Sequence, residues 1–278
     1  MSTSIDFRKM HGLGNDFVVV DARQKAFVPT ADQAKHIADR RWGVGCDQLI
    51  VLEPSTRADV FMRIYNSDGS QAEACGNATR CIAGLLSNEG ASQPSIETLR
   101  GVLAVEPASD NRFRIDMGPP IFDPALIPVT AASHKSLPVL LPNFPTPMAV
   151  SMGNPHCVFS GDVASIEAID LAALGQEIET NSLFPARTNV QFIAPMGPQK
   201  IRQRVFERGA GITGASGSGA CAGAVIALIT GMVSGPVEVV LDGGSLWIDW
   251  SGQANDSVFM TGPWAESFQG RFEIDDHG

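Results

Sequence analysis

Cys75 and Ser216 are the two positions from which chemistry can start. Cys75 ends the run Arg63-Ile-Tyr-Asn-Ser-Asp-Gly-Ser-Gln-Ala-Glu-Ala74 and opens Gly76-Asn-Ala-Thr-Arg-Cys81. A strand-like stretch, a polar glycine loop and a small-residue helix start therefore come in order. A thiol at such a start lies where backbone N–H groups and the helix dipole favour its anion. An isolated cysteine of this kind is more often small apolar filler. The layout, however, is written twice. Moving 141 residues along the chain places Arg63-Ile-Tyr-Asn66 on Arg204-Val-Phe-Glu207, Gly69-Ser70 on Ala210-Gly211, and Ala74-Cys75-Gly76 on Ala215-Ser216-Gly217. The same shift lays Gln48–Pro54 on Asn189–Pro195, and a shift of 139 lays Gly14-Asn15 on Gly153-Asn154.

A repeat of half the chain length implies two similar lobes related by a pseudo-twofold axis rather than a solenoid. Two helix starts facing one substrate suit a particular chemistry. A racemase or epimerase removes a proton from one face of a carbon and returns one to the other. Two opposed acid/base groups can do this without a cofactor. Helix N-termini would meanwhile hold a carboxylate and stabilise developing negative charge.

The elements that must position these groups follow from periodicity and punctuation. Strands are expected on both sides of the loop His11–Asp16, over 48–52, 59–65, 96–106 and 112–117, with helices over 31–41 (capped by Thr30) and 77–88. The stretch 118–147 carries eight prolines and reads as a linker or as edge strands. Beyond it come strand–loop–strand over 148–160, a helix over 166–174, strands over 188–194 and 200–206, and a helix over 220–230. Strands over 237–241, 246–250 and 257–262 finish the second half. The expected division is an N-terminal lobe 1–118 with Cys75, a C-terminal lobe 119–262 with Ser216, and a tail 263–278 returning to the first lobe.

A net charge of −10 and no basic stripe argue against nucleic-acid binding. Five cysteines, an odd number, with no apolar leader at the N-terminus, fit a reducing compartment. No window is long and apolar enough for a membrane span. The expectation is a cytoplasmic protein that acts on a small molecule.

Taken together, K9-M-H-G-L-G-N-D-F17, G43-V-G-C-D-Q48, N66-S-D-G-S70, C75-G-N77, G153-N-P-H156, R187-T-N189, E207-R-G-A-G211 and G217-S-G-A220 resemble the diaminopimelate epimerase family. The resemblance covers residues 9–220 in the family's order. It implies an α+β fold of two pseudo-symmetric lobes, each a mixed β-sheet wrapped around a central α-helix, with the active site in the cleft between them. It also implies a homodimer without pyridoxal phosphate, other cofactor or metal. The implied reaction interconverts LL- and meso-diaminopimelate in lysine biosynthesis with one cysteine as thiolate base and another as thiol acid.

Carried over by position, Cys75 matches the first of those cysteines. Asn15, Gln48, Asn66, Asn154, Asn189 and Arg208 match side chains that hold substrate, with Glu207 and Arg208 at the distal amino-acid head. Gly76-Asn77 and Gly217-Ser218 match the helix starts that bind the carboxylate at the reacting carbon. His156 and Glu207 match polar groups that assist the thiols. Neutral amides plus one guanidinium fork suit a zwitterionic substrate with a distal carboxylate.

Two positions depart from the pattern. Ile212 stands where the family usually has Glu, and Ser216 stands at the second cysteine. A hydroxyl is far less acidic than a thiol of pKa about 8.5, and a helix dipole shifts a pKa by about one unit. Ser216 therefore does not become a thiolate-like base. Three readings stay open: an epimerase disabled by the cysteine's exchange, a related racemase or dehydratase with another substrate, or a non-catalytic diaminopimelate binder. Cys221, five residues further along, is expected in the core.

Overall fold

The computed structural model describes residues 2–135 and 137–275. The chain forms two compact units, one built from residues 1–115 with 262–278 and the other from 116–261.

The first unit begins with β1 (Ser2–Gly12) and β2 (Asn15–Asp21), an antiparallel pair in which Arg8 faces Val19. Leu13 and Gly14 make the turn with φ of 56° and 88°. Two successive left-handed residues are the mark of the tight hairpin turn whose twist suits paired strands. Helix α1 (Ala31–Ala38) follows, and its cap is reciprocal. Thr30 accepts from the Gln33 backbone N–H, and the Gln33 side chain accepts from the Thr30 N–H. The helix ends three residues before the expected Arg41, because the Asp39 carboxylate accepts the N–H groups of Arg41 and Trp42 and bends the chain away.

The strands β3 (Gln48–Glu53), β4 (Val60–Asn66) and the short β5 (Gln71–Ala72) lead into α2 (Gly76–Asn88). Then come β6 (Ser95–Thr98), β7 (Gly101–Ala108) and β8 (Arg112–Asp116). The single strand expected over 96–106 is thus a hairpin, turned at Leu99-Arg100 and entered by Gly101 at φ 131°. Pairing runs β2–β3 parallel, β3–β4 antiparallel, β4–β6 parallel, then β6–β7 and β7–β8 antiparallel. Ten consecutive residues of α2, Asn77 to Leu86, are buried. Burial on every side identifies a helix enclosed by the sheet.

The second unit repeats this plan. It contains β9 (Met148–Ser151), β10 (Pro155–Ser160), α3 (Val163–Glu167), α4 (Leu171–Glu179), β11 (Asn189–Gly197), β12 (Lys200–Glu207) and β13 (Gly211–Ile212). Next are α5 (Gly217–Ile229), β14 (Val237–Leu241), β15 (Gly244–Asp249) and β16 (Phe259–Pro263). The pairing reads β9–β10 antiparallel, β10–β11 parallel, β11–β12 antiparallel and β12–β14 parallel. Antiparallel β14–β15 and β15–β16 complete it. Even the register is conserved between halves: Leu49 faces Tyr65 across β3–β4, and Val190 faces Phe206 across β11–β12, on the same shift of 141. The central helices are both thirteen residues long.

One helix expected over 166–174 is two, because Asp162 and Asp170 each accept a backbone N–H and start a separate helix. The helix expected from Ala220 starts at Gly217, where the glycine run disguises its first turn. Among the described residues of the proline-rich stretch, expected as a linker or as edge strands, there is no strand, and Ile121 pairs with Ser151 in an isolated bridge. Beneath α3 and α4, Phe159 and Phe192 stack with centroids 4.9 Å apart, and Phe144 meets Phe192 edge-on.

The final strand, β17 (Ala265–Asp275), has no counterpart in the repeat and was not among the expected strands. It pairs with β1 over most of its length, from Thr3–Ile274 to His11–Ala265. Phe7 packs against Phe268 and Phe272 along this ribbon. Nearby, Gly84 of α2 lets the Trp264 ring approach the helix closely: a Cβ there would sit 1.9 Å from Trp264 Cε2.

Candidate active site: two helix starts

Cys75 is the N-cap of α2 and Ser216 the N-cap of α5. The two caps are built from different neighbours. Around Cys75 the groups are amides. The Asn15 Oδ1 accepts from Asn77 Nδ2 at 3.0 Å and lies 4.0 Å from the Cys75 Sγ. Asn15 Nδ2 in turn donates to Asp47 Oδ2 at 2.8 Å. Gln48 Nε2 donates to Asn66 Oδ1 at 2.9 Å across β3–β4, and Asn66 Nδ2 donates to Ser70 Oγ at 3.0 Å. The structure thus joins Asn15, Cys75 and Asn77 in one cluster and pairs Gln48 with Asn66. Gly76 opens the helix beside them.

Sequence reading missed two groups that hold this cluster. Arg80, fully buried, donates from Nη2 to Asn77 Oδ1 at 2.7 Å and from Nε to the Pro263 carbonyl at 3.0 Å. That fixes which end of the Asn77 amide meets Asn15. Asp47 does the same for Asn15, and its other oxygen accepts from Arg40 Nη2 at 2.9 Å. Asp16 lies in the same charged set. Burial alone would raise its pKa, yet Arg40 and Lys9 beside it bring it down to about 2. Helical spacing could have flagged Arg80, about one turn beyond Gly76, as a charge on a buried face.

The Ser216 cap is ionic. Its hydroxyl donates to Glu207 Oε2 at 2.7 Å and accepts from the Gly219 N–H at 3.2 Å. Thr213 Oγ1 donates to the other carboxylate oxygen at 2.6 Å. Under the internal repeat the counterparts of Glu207, Thr213 and Ser216 are Asn66, Ala72 and Cys75. The first unit therefore has neither carboxylate nor hydroxyl at the corresponding places, and Cys75 makes no capping bond through its side chain. Ser216, 2% exposed, directs its hydroxyl hydrogen to Glu207.

The remaining groups of the second unit form two sets. Asn189 is a brace: its Nδ2 donates to the Pro155 carbonyl at 2.8 Å and its Oδ1 accepts the Arg208 N–H at 3.0 Å. The Arg208 guanidinium donates to the Ala186 carbonyl at 3.0 Å and is otherwise turned outward. The other set is a chain. Gln191 Nε2 lies 3.0 Å from His156 Nδ1, His156 Nε2 lies 2.9 Å from Asn154 Oδ1, and Asn154 Nδ2 donates to Ser218 Oγ at 3.2 Å. His156 has no exposed surface, and the loss of hydration, reinforced by the Arg208 cation, holds its pKa down at about 3. Gln191 was not singled out by sequence, since a polar residue in an otherwise apolar strand carries no signal of its partner. Gly217 and Ser218 form the first turn of α5. Among the described residues no cluster of three metal-ligating side chains occurs.

This doubled sheet-and-helix plan is shared with solved structures of low sequence identity. A PhzF-family phenazine biosynthesis protein of Bacillus anthracis superposes with a TM-score of 0.74 at 15% identity, covering 98% of this chain and 99% of that one. A hydroxyproline epimerase of Agrobacterium vitis gives a TM-score of 0.69 at 14% identity, covering 99% and 92%. These likenesses define the fold class.

Sequence relatives narrow it. The diaminopimelate epimerase family model matches residues 7–122 and 148–265. A diaminopimelate epimerase of Erythrobacter litoralis is 48% identical over 275 residues, covering 98% of this chain and 99% of the relative. One of Rhodospirillum centenum is 49% identical over 269 residues, covering 95% and 91%. The chain belongs to the diaminopimelate epimerase family.

Proposed function

We propose that this protein is a cofactor-independent epimerase of diaminopimelate whose two proton-transfer positions are unequal. The observation that carries the reading is the pair of N-caps on equivalent helices, Cys75 and Ser216, within a chain nearly half identical to diaminopimelate epimerases along its whole length. Relatives acting on hydroxyproline share only the fold, at 14% identity. In the proposed reaction Cys75, as thiolate, takes the α-proton of one epimer. The C–H electron pair moves onto the α-carbon and its carboxylate, and the helix N-termini stabilise the charge. Completing the inversion needs an acid for the opposite face. Ser216 occupies that role with a hydroxyl of high intrinsic pKa, already committed to Glu207. The proton then returns from Cys75 to the face it left. Asn15, Gln48, Asn66, Gly76, Asn77, Asn154, Asn189, Arg208, Gly217 and Ser218 serve as the substrate-holding groups, with Glu207 beside Arg208.

The test is proton exchange in D2O. This chain should exchange the α-proton of one epimer with retention and epimerise slowly. Ser216→Cys should raise epimerisation by about 10²-fold or more, the contribution of one positioned acid/base group. A Ser216→Cys protein that neither exchanges nor epimerises diaminopimelate refutes the reading. We propose also that the enzyme is a cytoplasmic homodimer, as the family resemblance implies. No helix among the described residues is long and apolar enough to cross a membrane. Light scattering should then give about twice the chain mass of 29.5 kDa, and a monomeric mass would refute the dimer.

A further inference from the structure

The chain Gln191–His156–Asn154–Ser218 has a direction. A primary amide nitrogen only donates, so Gln191 Nε2, 3.0 Å from His156 Nδ1, requires that ring nitrogen to be a bare acceptor. A neutral imidazole with a bare Nδ1 carries its proton on Nε2. That proton points at Asn154 Oδ1, 2.9 Å away. With its oxygen so engaged, Asn154 turns its nitrogen outward, to Ser218 Oγ at the first turn of α5. The reverse polarity would present the Asn154 oxygen instead and repel an anion. Complete burial of both His156 and Gln191 keeps water from competing with either end of the ring. Packing holds the donor in place as well: a Cβ on Gly219 would lie 3.2 Å from Gln191 Nε2 and 2.9 Å from Ser216 Oγ. Gly219 thus allows Gln191 to sit directly beneath the start of α5.

We propose that Gln191 is a positioning residue that acts through His156, fixing the imidazole as the Nε2–H tautomer so that Asn154 offers an N–H donor to an acidic group of the substrate. This gives His156 a positioning role in place of the acid–base assistance that family resemblance implies. The kinetic arm of the proposal rests on the diaminopimelate reading; the spectroscopic arm does not.

The experiment has two readouts. Imidazole ¹⁵N spectra of this chain, with His156 assigned by its loss in His156→Gln, should show a pyridine-like Nδ1 and a pyrrole-like Nε2 unchanged between pH 5.5 and 8.5. Arg208 is the charged side chain that opposes protonation there. Gln191→Glu, whose carboxylate accepts, should move the proton to Nδ1. In the Ser216→Cys background, Gln191→Met should raise KM for diaminopimelate about tenfold, the loss of one well-placed bond to a charged group, with kcat within about twofold. An imidazolium signal or an Nδ1–H tautomer in the unmodified chain overturns the relay. So does an unchanged KM in Gln191→Met. If Ser216→Cys shows no turnover at all, the functional reading fails while the ¹⁵N spectra still decide the relay.

Discussion

His156 illustrates how burial decides what a side chain can do. In the unfolded chain an imidazole titrates near 6.5, whereas here its pKa is down at about 3. Between those values the unfolded state binds more protons than the folded one. The stability His156 contributes is therefore full above about pH 6.5 and is lost as pH falls toward 3, at about 1.4 kcal/mol per pH unit. Urea unfolding at pH 7.5 and 5.5 checks the sign. This chain should lose about 1 kcal/mol more than His156→Gln over that interval. An equal loss in both proteins would mean that His156 is protonated in the fold. The same argument explains why the ring suits orientation better than proton transfer near neutrality: it has no accessible second protonation state.

At the scale of elements, the close seat of Trp264 on α2 is the feature most sensitive to change. Gly84→Ala places a methyl within the ring's volume, 1.9 Å from Trp264 Cε2, while Trp264 Nε1 is tethered to Asn111 Oδ1 at 3.1 Å. Overpacking of this kind costs about 1–3 kcal/mol, and the helix cannot shift without moving Arg80 and Asn77. Denaturant midpoints should show that loss, and pairing Gly84→Ala with Trp264→Leu should recover part of it. Much of the element layout was legible in the sequence. The repeat of strand, glycine loop and helix start located both N-caps, and the thirteen-residue helices follow them. Where reading failed, the cause was local chemistry or long-range pairing. Asp39 and Asp170 redirect helices through side-chain acceptors that periodicity does not register. The two-residue strands β5 and β13 are defined only by their partners. At the site, Cys75, Asn15 and Asn77 were found as motif residues. Arg80 and Gln191 were not, and Asp47 stood inside a motif without an assigned role, because each matters through an atom supplied by a neighbouring strand or helix.

On the scale of the molecule, the same topology appears twice but has been specialised unevenly. The cap of α2 is surrounded by neutral amides, that of α5 by Glu207 and two hydroxyls. A duplicated scaffold tolerates such divergence because each helix is held by its own sheet, so a polar exchange at one cap need not disturb the other. The added strand β17 gives the duplication a second asymmetry. It belongs with the first unit although it follows the whole of the second in the chain. During synthesis from the N-terminus, residues 116–261 form a continuous stretch that can acquire its complete set of strands as it emerges. The earlier unit has no such option. Its β1 lacks one partner until residues 265–274 leave the ribosome, so the half made first is the half finished last. For that interval β1 presents an unpaired edge bearing Ile5 and Phe7, the kind of edge that chaperones shield and that mispairs when they do not.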